Sequence, residues 1–384
     1  MRTKKFAALA AGMTLTFALA ACGGGGAGDT SDDASDGAAA EGGLIGVAMP
    51  TQTSERWIAD GAAVEKGLTD AGYEVDVQFA GDDVPTQSQQ IDSMITKGVD
   101  LLIIASIDGT ALSSQLQAAA DANIPVIAYD RLIRDSENVD FYVTFDNYNV
   151  GVQQATSLLV GLGFLEADGT TPGAAAPTAP VNVELFAGSL DDNNAHFFFQ
   201  GAMDTLQPYL DEGTIVVKSG QVEIEQVATL RWLQETAQTR MDTLLTSSYN
   251  DGSVLAGVLS PYDGISRGII TSLQGTGGYA PDAMPIVTGQ DAEIASVKLI
   301  ADGVQFSTIF KDTRKLAEQA IVAAESFLAG EEAEANDTES YDNGVKVVPS
   351  FLLDSDIVYA DNITSLLVDS GYWTAEEVAS GQAS

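Results

Sequence analysis

Residues 101–130 read LLIIASIDGTALSSQLQAAADANIPVIAYD, and this stretch decides the fold. It opens with an apolar run at residues 101–105, continues through an amphipathic segment at 110–122, and returns to an apolar run at 125–129. Short apolar runs bounded by turn residues or charge are typical of buried strands, and the segment between them has helical spacing. The pattern therefore predicts two parallel strands joined by a helix, in a sheet covered by helices on both faces.

The same alternation continues on both sides of this stretch. Toward the amino terminus it predicts strands at 44–49 and 75–80 and helices at 58–71 and 88–97. A second series follows residue 147, with strands at 181–186, 215–218, 255–259 and 286–288 and helices at 150–161, 195–207, 229–247 and 265–273. Residues 166–180 interrupt it and are predicted to form a surface loop. Because the roughly 340 residues from Leu44 onward exceed the roughly 250–300 that one core supports, we predict an α/β protein with two doubly wound parallel-sheet lobes.

The first residues predict an exported lipoprotein. Three basic residues within the first five positions precede an uncharged, mostly apolar run at residues 6–19, as in a secretory signal peptide over residues 1–21. That run is shorter than the roughly 20 residues that span a bilayer. The sequence Leu-Ala-Ala-Cys, which ends at Cys22, resembles the bacterial lipobox, whose cysteine is acylated. We therefore expect a lipid anchor on Cys22 at the outer face of the cell membrane.

The composition of the chain excludes several classes of binding partner. Residues 22–43 hold the anchor cysteine and a segment of Gly, Ala, Ser, Thr and acidic residues, which we interpret as a flexible tether. The formal net charge is −38 for the whole chain and −41 without Arg2, Lys4 and Lys5, and it argues against nucleic acid and anionic lipid headgroups as partners. With a single histidine, His196, and no phosphate-loop signature, the sequence predicts no metal site and no cofactor.

Polar and aromatic residues gather just after the predicted strands. In open α/β sheets, ligands bind beyond the carboxyl ends of the strands, so these are the candidate site residues. They are Arg56-Trp57, Asp130-Arg131, Asp146-Asn147, the run from Asp191 to Asn194, Arg231-Trp232 with Thr236, Asp263 and Gln290-Asp291. Carboxylates accept hydrogen bonds, Arg donates them, and Asn or Gln does both, while a tryptophan ring suits the apolar C–H face of a sugar. This set favours a free monosaccharide as ligand.

Each of these residues also has a plain structural interpretation. A single Asp or Asn at a strand end is more often a turn former or a helix cap. Trp57 and Trp232 could belong to the core, and Asp130-Arg131 could be a structural ion pair. The whole set favours a ligand site, because helix capping does not require Arg-Trp pairs at two separate strand ends.

The chain resembles the type I periplasmic binding proteins of sugar ABC importers, and within them the branch that binds xylose or several monosaccharides such as glucose, galactose, arabinose and fucose. The resemblance covers residues 44–372. The stretches that carry it are SERW at 54–57, IAYDRLI at 127–133, FDN at 145–147, DDNNA at 191–195, LRW at 230–232, SPYDG at 260–264, GQDA at 289–292, YDNGV at 341–345 and VDSGY at 368–372.

The resemblance implies a set of ligand contacts and a domain division. The implied hydroxyl partners are Arg56, Asp130, Arg131, Asp146, Asn193, Asp263 and Gln290, with Trp57 and Trp232 as aromatic partners and Asn147, Asn194, Arg231, Thr236 and Asp291 as further candidates. It also implies a hinge of three crossovers, which we place after Phe145, near Gly289 and near Phe310. The lobes expected from it are residues 44–145 with 290–310, and residues 146–289 with 311–384.

The resemblance implies a monomeric receptor that binds a monosaccharide between its lobes and docks on the permease subunits of an ABC transporter. A sugar sensor that presents its closed form to a receptor kinase or chemoreceptor fits the same residues. A glycosidase using Asp130, Asp146 or Asp263 is less well supported, because a neighbouring Arg lowers the pKa that a general acid needs raised. A repressor of the same fold conflicts with the signal peptide. We therefore expect a binding protein and not an enzyme.

Overall fold

The computed structural model describes residues 42–383. The predicted signal peptide, Cys22 and almost all of the tether lie outside the described residues. Between residues 42 and 383, no helix is both long enough and apolar enough to cross a membrane.

The first lobe is built on a sheet of six parallel strands. They are β1 (Leu44–Met49), β2 (Glu74–Phe79), β3 (Leu101–Ile104), β4 (Val126–Tyr129), β5 (Phe141–Phe145) and β11 (Ser350–Leu353), in the spatial order β11-β5-β4-β3-β1-β2. Successive side chains of a strand point to opposite faces of its sheet. Accordingly, Leu101 and Ile103 join one apolar cluster, and Leu102 and Ile104 join the other.

Helices cover both faces of this sheet. They are α1 (Glu55–Asp70), α2 (Val84–Lys97), α3 (Ser113–Asp121) and α10 (Thr313–Leu328). The apolar sides of α1 and α10 share one cluster, and those of α2 and α3 share the other. Burial on both faces explains why β3 and β4 are continuous apolar runs and do not alternate with polar residues.

The second lobe is built on a parallel sheet with the order β7-β6-β8-β9. Its strands are β6 (Val181–Leu185), β7 (Ile215–Val217), β8 (Leu255–Leu259) and β9 (Ile286–Val287). A parallel bridge between Gln290 and Ile309 extends it to β10 (Thr308–Phe310), which pairs antiparallel with β12 (Asp356–Val358). Its helices are α4 (Asn147–Gly161), α5 (Asn193–Asp211), α6 (Ile224–Val227), α7 (Gln234–Ser247), α8 (Asp263–Gly275), α9 (Ile294–Ala301) and α11 (Ala375–Ser380). The fold class predicted from the sequence is confirmed.

The chain crosses between the lobes three times: after β5, between β10 and α10, and between β11 and β12. The predicted crossings after Phe145 and near Phe310 agree with this path. The one predicted near Gly289 is wrong, because residues 286–310 form a β-α-β unit that stays in the second lobe. Residues 290–310 therefore belong to the second lobe, and residues 313–353 return to the first, since α10 packs on α1 and β11 pairs with β5.

Further differences concern one helix and four strands. The helix predicted over residues 229–247 begins only at Gln234, because Arg231 and Trp232 have φ values of 55° and 58° in the left-handed region. Strands β5, β10, β11 and β12 were not predicted as strands. Residues 166–180 lie in irregular chain, as expected.

Candidate functional site

A cavity of about 280 Å³ lies between the lobes, and residues of both lobes line it. This volume is close to the lower end of the range of about 300–1,000 Å³ typical of small-molecule sites. Nine of the fourteen residues predicted to contact a ligand lie on its wall, namely Arg56, Trp57, Asp130, Arg131, Asn194, Arg231, Trp232, Gln290 and Asp291.

A buried ion pair of Arg56 and Asp130 forms one side of the wall. Arg56 follows the start of α1, and its Nη2 donates to Oδ1 of Asp130, which stands directly after β4. The Nε of Arg56 donates to Oδ2 of Asp60 at 2.9 Å, and the Tyr129 hydroxyl donates to Oδ1 of Asp60 at 2.5 Å. The guanidinium is thus held from behind by Asp60 while it faces the cavity.

Burial and neighbouring positive charge have opposite effects on the pKa values of Asp60 and Asp130. Burial raises the pKa of Asp60 to about 6, against the lowering effects of Arg56 and of the Tyr129 hydroxyl. Burial also raises the pKa of Asp130, but the nearby cations of Arg56 and Lys311 outweigh it and hold that pKa below its usual value. Asp130 is therefore a buried carboxylate that stays ionised at neutral pH and can accept hydrogen bonds.

Trp57 is a nearly buried part of the wall, with 5% of its surface exposed. The guanidinium carbons of Arg56 and Arg131 lie 4.5 Å and 5.1 Å from its ring centroid. Such cation–π contacts contribute about 0.5–2 kcal/mol each. Trp57 therefore orients two hydrogen-bond donors of the cavity.

Lys311 lies on the cavity wall and was not predicted from the sequence. It follows β10, is only 2% exposed, and its Nζ is 3.0 Å from Oδ1 of Asp291. The ammonium also lies 5.5 Å from the ring centroids of both Phe145 and Phe198. The signal that could have found it is the one used elsewhere, a polar residue directly after a short apolar run.

Gln290 and Arg131 complete the polar wall. The Oε1 of Gln290 accepts from Nε2 of Gln154 at 2.9 Å, which leaves its amide group directed toward Asp291. Arg131 forms an ion pair with Asp192 at 3.1 Å, and this pair connects the first lobe to the start of α5 in the second.

Trp232 reaches the cavity from a tight turn. Its indole lies against Gly188, where a Cβ atom would come within 2.0 Å of the ring. The edges of Phe198 and Tyr262 pack around it at centroid distances of 6.3 Å and 6.2 Å. Arg231 in the same turn pairs with Asp191 at 3.1 Å and also lines the cavity. The left-handed turn thus directs both side chains inward.

Five predicted residues are not on the cavity wall. Four of them lie at the starts of the helices α4, α5 and α7. Asp146 caps α4 by accepting from the amide of Asn149 at 3.0 Å. Asn147 is buried and donates to Thr144, Asn194 and Tyr341. Asn193 and Thr236 lie in the first turns of α5 and α7.

Asp263 is the fifth residue away from the wall, and it is completely buried. Its Oδ2 accepts from the amide of Glu293 at 2.9 Å, and its Oδ1 accepts from Nε2 of Gln305 at 2.9 Å. Burial, and then the charge of Glu293, raise its pKa well above the usual value. Asp263 therefore anchors the segment that carries Gln290 and Asp291.

Asn194 is on the wall, but its amide is already engaged. Its Nδ2 donates to the backbone oxygen of Asp130 at 2.7 Å, and its Oδ1 accepts from the Tyr142 hydroxyl at 2.9 Å. These bonds hold Asp130, whose φ of 59° lies in the left-handed region, in the orientation that faces the cavity. Among residues 42–383, no group of three or more His, Cys, Asp or Glu residues is placed to hold a metal ion.

Fold and cavity together define a two-lobed binding protein whose site lies between its lobes. A family model described as "Periplasmic binding protein domain" matches residues 45–332, and the chain belongs to this family. The resemblance stated from sequence motifs and the expectation of a binding protein in place of an enzyme are both confirmed by this membership and by the relatives.

The chain is similar to several characterised proteins over most of its length. It is 53% identical over 341 residues to the multiple sugar-binding periplasmic receptor ChvE of Rhizobium radiobacter, covering 88% of this chain and 93% of that one. It is 35% identical over 335 residues to the D-xylose-binding periplasmic protein of Escherichia coli, covering 87% and 92%. A solute-binding protein of an ABC transporter from Clostridium phytofermentans, solved with bound β-D-glucose, superposes with a TM-score of 0.81 at 47% identity, covering 87% and 99%.

Proposed function

We propose that this protein is a receptor for free aldopentoses or aldohexoses, which it binds in the interlobe cavity and delivers to the permease of an ABC transporter. The observation that carries the proposal is the cavity wall itself. It places carboxylates, guanidinium groups, an ammonium group and an indole around a volume of about 280 Å³. The names of the relatives, which bind xylose, glucose or several sugars, agree with this chemistry.

The side chains divide into donors and acceptors for ring hydroxyls. Arg56, Arg131 and Lys311 donate, and Asp130 and Asp291 accept. Charge-assisted hydrogen bonds are roughly twice as strong as neutral ones, so a small polar ligand can compete with water in this cavity. Because the cations and carboxylates are already paired with one another, they are oriented before the ligand arrives and cost little further ordering.

Trp232 supplies the apolar surface of the proposed site. Its ring is fixed by Gly188 on one side and by Phe198 and Tyr262 at its edges. A rigid ring of this kind suits the C–H face of a pyranose. In this proposal, some of the predicted residues do not contact the sugar but position residues that do. They are Asn147, Asn194 and Asp263.

Titration calorimetry against a panel of aldopentoses and aldohexoses tests the function. We expect saturable binding of at least one sugar at one site per chain, with no binding of a dicarboxylate of similar size. The variant Asp130→Asn should lose most of the affinity while retaining its unfolding transition. No binding of any aldose to the wild-type protein would overturn the proposal.

Export and anchoring form a separate part of the proposal. We propose that Cys22 carries the lipid anchor and that residues 23–43 connect it to the lobes at the outer face of the cell membrane. Mass spectrometry of the membrane-extracted protein should find acyl groups on an amino-terminal Cys22. The Cys22→Ser variant should instead be recovered in the soluble exported fraction, and membrane retention of that variant would contradict the anchor.

A further inference from the structure

Two hydrogen bonds join the lobes beside the cavity, where the starts of α1 and α9 meet. Ser54, at the start of α1, donates from Oγ to Oε1 of Glu293 at 2.8 Å. In return, Oε2 of Glu55 accepts from the backbone amide of Ile294 at 3.2 Å. Ser54 and Glu55 belong to the first lobe, and Glu293 and Ile294 belong to the second. Ser54 lines the cavity, whereas Glu55 is not among the lining residues.

In the second lobe, neighbouring side chains of the same lobe hold Glu293 in place. Glu293 is 2% exposed, and its carboxylate accepts from Nη2 of Arg267 at 2.6 Å and from the Tyr262 hydroxyl at 2.7 Å. Its backbone amide donates to the buried Asp263. Glu293 is thus a preorganised acceptor, and Ser54 adds one more donor when the lobes are together.

In the first lobe, the half-buried Glu55 makes the second of these hydrogen bonds. Its carboxylate meets the amino-terminal turn of α9, where backbone amides lack partners within the helix and the helix dipole favours a negative charge. Burial raises the pKa of Glu55, and the nearby carboxylate of Glu293 raises it further, while the Ile294 amide and Arg267 act in the opposite direction. The hydrogen bond to Ile294 is therefore partly offset by repulsion, so that the contact holds the lobes and still allows them to separate.

We propose that Glu55 sets the affinity of this receptor without touching its ligand, as the first-lobe part of an interlobe latch formed with Ser54, Glu293 and the amide of Ile294. The inference rests on the proposed function for the identity of the ligand. A ligand enclosed by two lobes binds in proportion to the population of the closed arrangement. Weakening the latch therefore raises the dissociation constant of every ligand by the same factor.

Three variants test the latch against D-glucose and D-xylose by calorimetry and stopped-flow kinetics. Glu55→Ala should raise both dissociation constants about fivefold to tenfold, as for loss of one typical hydrogen bond, because repulsion from Glu293 offsets part of the contribution of the charged acceptor; the change should come mainly from faster dissociation. The ratio of the two constants should stay unchanged. Glu55→Gln keeps an oxygen acceptor for the Ile294 amide and should recover most of the affinity. Glu65→Ala, an exposed position of the same helix, is the matched control and should leave both constants unchanged.

Three results would overturn the latch. They are unchanged constants in Glu55→Ala, a changed ratio between the two sugars, which would mean that Glu55 contacts the ligand, and an equal effect of Glu65→Ala. Failure of wild-type protein to bind any aldose would instead overturn the proposed function. Hydrogen–deuterium exchange then tests the latch alone, because the Ile294 amide should exchange faster in Glu55→Ala than in wild type or Glu65→Ala. Equal exchange in all three would contradict the latch.

Discussion

Lys311 lies between Asp291 on the cavity wall and the aromatic rings of Phe145 and Phe198. Its ammonium lies 3.0 Å from Asp291, whose next cation is the guanidinium of Arg56 at 3.9 Å. Both Lys311 and Asp291 are buried, so their charges depend on each other and on Arg56 for stabilisation.

We expect Lys311→Met to lose sugar binding and to lower the free energy of unfolding by about 3–5 kcal/mol, because it leaves the buried Asp291 carboxylate short of a partner. Urea unfolding and titration calorimetry measure the two effects. Lys66→Met is the control, since Lys66 forms an exposed ion pair with Asp70 on α1 and such pairs contribute little. Equal stability of the two variants would contradict the role assigned to Lys311.

Asp60 gives the site a pH dependence with a definite sign. Its folded pKa of about 6 lies above the usual value of 3.8, because burial outweighs Arg56 and the Tyr129 hydroxyl. A raised pKa means that its contribution to stability is fully present below about pH 4 and is lost as pH rises through 6. A rise in the pKa of Asp60 from 3.8 to about 6 corresponds to about 3 kcal/mol.

The variant Asp60→Asn removes the titrating carboxyl group and should remove the part of the pH dependence of stability that comes from Asp60. We expect the stability of wild type relative to Asp60→Asn to fall by up to about 3 kcal/mol between pH 4 and pH 7. Urea unfolding of both proteins at several pH values measures the difference. A difference that does not change with pH would contradict a raised pKa at Asp60.

The sequence identified the right strand ends but could not separate ligand-facing residues from structural ones. Asp130 and Asp146 both follow strands of the first sheet, yet Asp130 faces the cavity and Asp146 caps a helix. The difference comes from φ at Asp130 and from the hydrogen bonds of Asn194, neither of which leaves a pattern in the sequence. Lys311 was missed because the strand before it has only three residues, so that the apolar run it follows was too short to be assigned as a strand.

Among the secondary-structure elements, the turn at Leu230–Trp232 matters most for the site. Two consecutive residues other than glycine in the left-handed region are held there by the surrounding structure. The amide of Arg231 donates to Oγ of Ser189 at 2.8 Å, and the amide of Trp232 donates to the carbonyl of Thr229 at 3.0 Å. The first of these bonds ties the turn to the loop after β6, where Gly188 also lies, and the second closes the turn itself.

Gly188→Ala should weaken sugar binding more than it weakens folding. The added Cβ would lie 2.0 Å from the indole of Trp232, so the ring must move from its place in the cavity wall. We expect a loss of sugar affinity of at least tenfold in calorimetry. Gly275→Ala is a control with open space around its Cβ, and it should bind like wild type. Unchanged affinity in Gly188→Ala would show that Trp232 is not part of the ligand site.

Local pattern predicted the eight strands β1–β4 and β6–β9 but not the remaining four. Strand β10 has three residues and β12 has three, too few for a pattern of apolar residues to stand out. Strand β11 joins the first sheet only through β5, about 200 residues earlier in the chain. The prediction of which lobe holds residues 290–310 and 311–353 was wrong for the same reason, because that choice depends on pairing between distant segments.

The whole molecule carries its charge unevenly, and this follows from the composition of the site. Of 17 basic residues, five are engaged in ion pairs at or beside the cavity, namely Arg56, Arg131, Arg231, Arg267 and Lys311. Those cations are balanced by interior carboxylates. Between residues 42 and 383, the remaining acidic side chains lie mainly on the surface, where like charges repel one another.

We expect added NaCl to raise the melting temperature at pH 7, because salt shortens the Debye length from about 30 Å at 0.01 M to about 3 Å at 1 M and screens this repulsion. The same series near pH 4.1, the isoelectric point calculated from the sequence, is the matched control. There the net charge is close to zero, so the melting temperature should respond much less to salt. Calorimetric scans at both pH values measure the two slopes. Equal slopes would mean that surface repulsion does not limit the stability of the folded lobes, and that the acidic surface has no energetic cost at neutral pH.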